Sequence, residues 1–134
     1  MLLDTSGLLC FLHKDESQHK RAVELITTTN RNLLTHNYVL AELIALALVR
    51  GFSRSTVLLY TLELLSNPNV EIVWITELTH REAMDLLLAR KDKTYSLCDA
   101  VSFVLMRNRK MMEALTTDRH FEQEGFICLL RSAS

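Results

Sequence analysis

The sequence is poor in the residues that interrupt regular structure. Its 134 residues include only three glycines and one proline, and aromatic side chains make up only 7%. That composition excludes a collagen-like, linker-rich or low-complexity chain, and no stretch repeats. The three cysteines, Cys10, Cys98 and Cys128, are odd in number and form no C-x-x-C. They indicate neither a disulfide framework nor a thiolate zinc site, so buried free thiols in a reducing cytoplasm are expected. One of them, Cys98, falls near a helix start, where a thiol pKa is lowered. No cleavable leader precedes the first acid, and no apolar run approaches the ~20 residues of a membrane span. The expectation is a cytoplasmic protein with no membrane association. Charge of one sign is also missing: the net charge is −1, which argues neither for nor against a nucleic-acid partner.

What is present is aliphatic. A hydrophobic content of 49% in a chain of this length suits a single domain, residues 1–134, around one core. Leu2-Leu3 reads as a short buried strand, followed by a turn and a helix start over Leu8 to Leu12. Asp15, Glu16 or Ser17 caps an amphipathic helix to about Thr28, and Leu33 to Thr35 is a second strand. Thr35 or Asn37 caps a helix over Tyr38 to Val49, apolar on almost every side and therefore buried. Gly51 closes that helix, Ser53 starts another to about Leu65, and Val70 to Ile75 alternates as a strand. A helix from Thr76 or Thr79 to Lys91 follows, then one over Leu97 to Met106 capped by Ser96. Glu113 to Thr116 and Phe126 to Leu130 are the last strands. Short strands alternating with helices imply an α/β fold with a mainly parallel sheet of four or five strands covered by helices.

In such a sheet, sites lie beyond the carboxyl ends of the strands. Asp4 and Asp118 follow strand ends, while Glu42 and Asp99 interrupt the two most apolar helices near their N-terminal ends. Each alone has an ordinary reading. Asp4 can make an Asx-turn with Ser6 and Gly7, Ser96-Leu97-Cys98-Asp99 fits a capping box, Asp118 can cap a short helix through Phe121, and Glu42 can meet an arginine. Together they fall on one edge of the domain. Two charges ~4 Å apart repel by roughly 4 kcal/mol at an effective dielectric near 20, so converging carboxylates must take up protons or hold a cation. Oxygen ligands select a hard ion, Mg²⁺ or Mn²⁺. Such an ion can activate water against a phosphodiester.

These residues resemble the four acidic motifs of PIN-domain ribonucleases, in particular the small VapC-type toxins. The motifs are Leu3-Asp4-Thr5-Ser6, Glu42 within its apolar helix, Ser96-Leu97-Cys98-Asp99-Ala100, and Leu115-Thr116-Thr117-Asp118-Arg119-His120-Phe121. The resemblance implies a PIN-like three-layer fold and a Mg²⁺- or Mn²⁺-dependent endoribonuclease, with Asp4, Glu42, Asp99 and Asp118 around the metal. It implies hydroxyl support from Thr5, Ser6 and Thr117, a homodimer, and an antitoxin protein that blocks the pocket. Gly7 departs from the apolar residue common after the first motif, which bears on the local turn.

Ten of the fifteen basic residues are arginine, whose fork suits phosphate. Arg119, His120, Arg90 and Lys93 fall near the expected pocket rim and are candidate phosphate contacts. The helix from Ser53 to Leu65 carries more apolar surface than one core stripe uses, which suggests an interface. A haloacid-dehalogenase-type phosphatase would need an acid where Ser6 stands, and a receiver domain would need a mid-chain aspartate that residues 43–70 lack. The scattered histidines show no zinc-ligand spacing. A non-catalytic PIN-like module that binds RNA or protein is the remaining alternative.

Overall fold

A computed structural model describes residues 1–131, so the end of the expected 1–134 domain, residues 132–134, lies outside the described residues. Among them, five strands alternate with seven helices: β1 (Leu2–Leu3), α1 (Thr5–Leu12), α2 (His19–Thr28), β2 (Leu33–His36), α3 (Asn37–Val49), α4 (Arg54–Ser66), β3 (Val70–Val73), α5 (Glu77–Ala89), α6 (Leu97–Asn108), β4 (Glu113–Leu115), α7 (His120–Gln123) and β5 (Ile127–Cys128). The strands form one sheet in the order β3-β2-β1-β4-β5. Every pairing is parallel.

The pleat of each strand divides the core into two layers. Leu3, Leu33, Val70 and Leu115 pack with buried side chains of α1 to α4, including Leu8, Ala22, Leu43 and Leu64. Their neighbours Leu2, Leu34, Ala114 and Cys128 face the other way, onto Phe103, Met106, Phe121 and Phe126. Both faces of the sheet are therefore covered, as a parallel sheet requires, and its strands read as continuous rather than alternating apolar runs. Three layers result.

Several local expectations are corrected by tertiary contacts. None of Asp15, Glu16 and Ser17 caps α2, whose N-cap is Gln18 with no side-chain bond. The cap of α3 is neither Thr35 nor Asn37 but His36, whose ring accepts the Val39 amide; Asn37 instead accepts the Ile75 amide at 2.7 Å. The helix α3 is not wholly buried: Val39, Leu40, Leu43 and Ala47 face the core, whereas Ala41, Glu42, Ala45 and Val49 are exposed. The strand β3 stops at Val73, and Trp74 lies outside, 63% exposed. Ser53, Thr76 and Ser96 cap α4, α5 and α6 as expected. The apolar surplus of α4 lies in solvent, with Leu58, Leu59, Leu62 and Leu65 all exposed.

One glycine is demanded by packing. A Cβ on Gly7, in the first turn of α1, would stand 2.0 Å from the Leu115 carbonyl oxygen. The helix therefore lies directly against the backbone of β4.

Candidate functional site

The sheet order reverses between β1 and β4, since the chain moves outward through β2 and β3 and then returns to the other side of β1. This is the topological switch point at which open parallel sheets bind their ligands. Asp4 follows the carboxyl end of β1, and Thr116-Thr117-Asp118 follows that of β4. The close seating of α1 on β4 draws the two strand ends together.

Asp4 is almost fully buried. Its Oδ2 accepts the Thr116 hydroxyl at 2.8 Å and the Ser6 hydroxyl at 3.2 Å. Thr116 Oγ1 in turn accepts the Asp118 amide at 2.9 Å, and Ser6 Oγ accepts the Thr117 amide at 3.0 Å. Two hydroxyls thus tie the first acid to the backbone that carries the last. Burial pushes the Asp4 pKa up to about 7; the Thr116 hydrogen bond opposes that shift, and the charges of Asp99 and Glu42 add to it.

Asp99 is buried in the first turn of α6, where it completes the capping box with Ser96. Its Oδ2 accepts the Ser96 amide at 3.0 Å and lies 2.9 Å from His120 Nδ1. The same ring nitrogen stands 3.3 Å from Asp118 Oδ1, which also accepts the His120 amide at 2.9 Å. Carboxylate oxygens accept, so Nδ1 carries the hydrogen, while Nε2 contacts Thr94 Oγ1 at 3.1 Å. Burial raises the Asp99 pKa against the pull of the Ser96 and His120 hydrogen bonds, and the Asp118 charge raises it further. One ligand atom each from Asp99, Asp118 and His120 lies within 4.8 Å of the others.

Glu42 is exposed on α3, but its charge raises the pKa of both Asp4 and Cys98. The expected lowering of the Cys98 thiol does not occur. Cys98 is buried beside three acids, and burial together with Glu42, Asp4 and Asp99 pushes its pKa well above the usual thiol range. All three cysteines are buried free thiols.

The supporting hydroxyls are distributed differently from expectation. Ser6 is in place, but the buried Thr5 Oγ1 hydrogen-bonds none of the acids. At the strand end it is Thr116, missed by sequence reasoning, whose hydroxyl holds Asp4, while Thr117 contributes its amide. Two neighbouring threonines at the end of a strand face opposite sides, and no feature of the motif marks which one turns toward the acid. Of the basic candidates, Arg119 is exposed and His120 is locked between two acids. Arg90 forms a bidentate pair with Glu124 at 2.9 and 3.2 Å, and Lys93 pairs with Asp92 at 3.3 Å.

The donor set fits a hard divalent cation. It is made mostly of carboxylate oxygen, and two of its acids are buried, raised in pKa and mutually repulsive.

Comparison with known proteins agrees with this architecture. The 23S rRNA-specific endonuclease VapC20 from two strains of Mycobacterium tuberculosis is 28% identical over 127 residues, 95% of this chain and 95% of its own length. The crystal structure of M. tuberculosis VapC20, a toxin that cleaves the sarcin-ricin loop, matches at a TM-score of 0.86 and 25% identity, over 94% of this chain and 95% of that one. The family model of the PIN domain spans residues 1–126. Strand order, switch point and sequence therefore lead to one conclusion: the chain belongs to the PIN-domain family.

Proposed function

We propose that this chain is a metal-dependent endoribonuclease that hydrolyses RNA phosphodiester bonds as the toxin of a toxin–antitoxin pair. The observation that carries this reading is the gathering of Asp4, Asp99 and Asp118 around the β1–β4 switch point, where Thr116 and Ser6 tie the buried Asp4 carboxylate to the Asp118 and Thr117 amides and His120 bridges the carboxylates of buried Asp99 and half-buried Asp118. The likeness to VapC20 over nearly the whole chain supports RNA as the substrate class.

Asp4, Glu42, Asp99 and Asp118 would hold Mg²⁺ or Mn²⁺. When bound, such an ion supplies positive charge to the phosphodiester and lowers the pKa of a coordinated water. The chain's own groups do the positioning. Thr116 and Ser6 fix Asp4 Oδ2, and Ser96 and His120 fix Asp99 Oδ2, so the acids keep their spacing when substrate arrives. Arg119, exposed beside Asp118, is the strongest candidate to meet a substrate phosphate; Arg90 and Lys93 would first have to leave their acidic partners. The exposed leucines of α4 are offered to an antitoxin or to a second copy in a homodimer, in a single cytoplasmic domain.

Purified protein incubated with labelled RNA tests the reading directly. Cleavage is expected with Mg²⁺ or Mn²⁺, and is expected to be lost in EDTA and in Asp4→Asn and Asp99→Asn. Equal cleavage in EDTA, or by both variants, would overturn it. The alternative, a module that binds RNA without cutting, predicts binding with no cleavage under any condition.

A further inference from the structure

A second concavity borders the acids. Ser6 and Thr117 line it, and Ser6 Oγ is 3.2 Å from Asp4 Oδ2, so this cavity of about 90 Å³ lies one hydrogen bond from the Asp4 carboxylate. Leu9 and Cys10 of α1 and Leu46 of α3 supply the apolar part of its lining. Ser17 and Gln18 form a side wall. Gln18 is the N-cap of α2, yet its side chain makes no capping bond, which leaves a primary amide with both donor and acceptor capacity at the cavity. At the mouth Arg50 and Glu16 pair with each other.

That lining discriminates among the parts of a nucleotide. A phosphate is disfavoured, because the one cation present is already neutralised by Glu16. A planar ring is favoured: its faces find aliphatic and thiol surface, and its polar edge finds an amide and a hydroxyl. The space admits one ring and not a stacked pair. We infer that this cavity receives a single unstacked nucleobase next to the scissile phosphodiester and thereby sets which nucleotide is cut. The inference rests on the ribonuclease reading above, and it deepens that reading by locating base selection away from the acids.

The test measures binding and cleavage side by side, using fluorescent single-stranded oligoribonucleotides in which one nucleotide at a time is abasic. Binding is measured in Ca²⁺ and cleavage in Mg²⁺ or Mn²⁺. Wild type is compared with Gln18→Ala, which forfeits no capping bond, and with Leu46→Trp, which fills the cavity; thermal melting reports folding of each. Loss of one particular base is expected to weaken wild-type binding about tenfold, the scale of one well-placed base contact. Both variants are expected to bind intact and abasic strands alike and to cut with relaxed base preference. Base-dependent binding that both variants lose, without any cleavage, would sink the nuclease reading and leave the cavity as a base-binding site, overturning its part in choosing the cut. Cleavage whose base preference survives in both folded variants, or binding by wild type that no abasic position weakens, would overturn the cavity's role and leave the nuclease.

Discussion

Thr116 and Asp4, 112 residues apart in sequence, share a hydrogen bond of 2.8 Å at the boundary between two parallel strands. Since Thr116 Oγ1 also accepts the Asp118 amide, this hydroxyl couples the first acid directly to the backbone of the last, beside the parallel link through Ser6. Thr116→Val keeps the shape and removes the oxygen. Cleavage is expected to fall roughly 10- to 100-fold, the scale of lost support behind a metal ligand, with about 1–3 kcal/mol of stability lost because the Asp118 amide is left unpaired and Asp4 keeps only its bond from Ser6. Thr116→Ser should restore most of both. Rates and urea denaturation of the two variants are the check, and a Val variant cutting at the wild-type rate would remove Thr116 from the machinery.

Gly7 supports the same alignment from behind. An alanine would place its Cβ against the Leu115 carbonyl, a backbone atom that cannot swing aside. The gain in helix propensity, up to ~1 kcal/mol, is smaller than the repulsion. Gly7→Ala is expected to lose about 3 kcal/mol or more, read as an earlier denaturation midpoint or as insoluble expression. The departure from the usual apolar residue after the first motif thus has a local cause in the approach of α1 to β4.

Glu124 organises the opposite flank of the site. Its buried carboxylate receives Arg90 at 2.9 and 3.2 Å, Tyr95 Oη at 3.1 Å, and Arg107. Burial alone would raise its pKa, but these hydrogen bonds together outweigh burial and hold it below the ordinary carboxylate value. A depressed carboxylate contributes stability above its unfolded pKa, and that contribution is lost as pH falls through the folded value. Glu124→Gln should cost about 1–3 kcal/mol at neutral pH, because both arginines are partly solvated. The cost should shrink in acid, and denaturation at pH 7 and pH 4 separates the two conditions.

His36 gives a second acid dependence with a different cause. Fully buried, it accepts the Val39 amide at Nδ1, so its Nε2 hydrogen donates to Ser102 Oγ at 2.8 Å. Burial lowers its pKa from 6.5 to about 4. The unfolded chain then binds the extra proton first, so stability is complete above the unfolded pKa and declines as pH falls toward 4. The decline attributable to His36 is about 2 kcal/mol between pH 7 and pH 5. In His36→Gln the pH slope over that interval should flatten, even though the variant starts from a lower stability. An unchanged slope would show that another group titrates.

The strands, helices and parallel topology were legible because periodicity and capping chemistry are local. Ser96 and Asp99 announce the start of α6 by spacing alone, and the capping box is present. Asp4 and Asp99 stand out in sequence because each is an acid set among apolar residues, and both are buried. What escaped depended on distant partners. The strand expected over Val70 to Ile75 ends at Val73, and Trp74 emerges into solvent past its last paired residue. His36 caps α3 only because the buried Ser102 holds its other nitrogen. Thr116 and Thr117 are equivalent in sequence, and the pairing of β1 with β4 decides which hydroxyl meets Asp4. Arg90 resembled a phosphate ligand until Glu124, 34 residues on, was seen to occupy it.

The central place of β1, between β2 and β4, also sets a schedule. β1 is completed only by a strand that comes much later in the chain, since Asp4 is aligned by Thr116, 112 residues on, and α1 seats against Leu115. A nascent chain still attached to the ribosome exposes Asp4 and Glu42 well before Thr116 and Asp118 leave the exit tunnel. For a protein proposed to cut RNA this order of events is protective, because the acids are not aligned until β4 has been made and paired with β1.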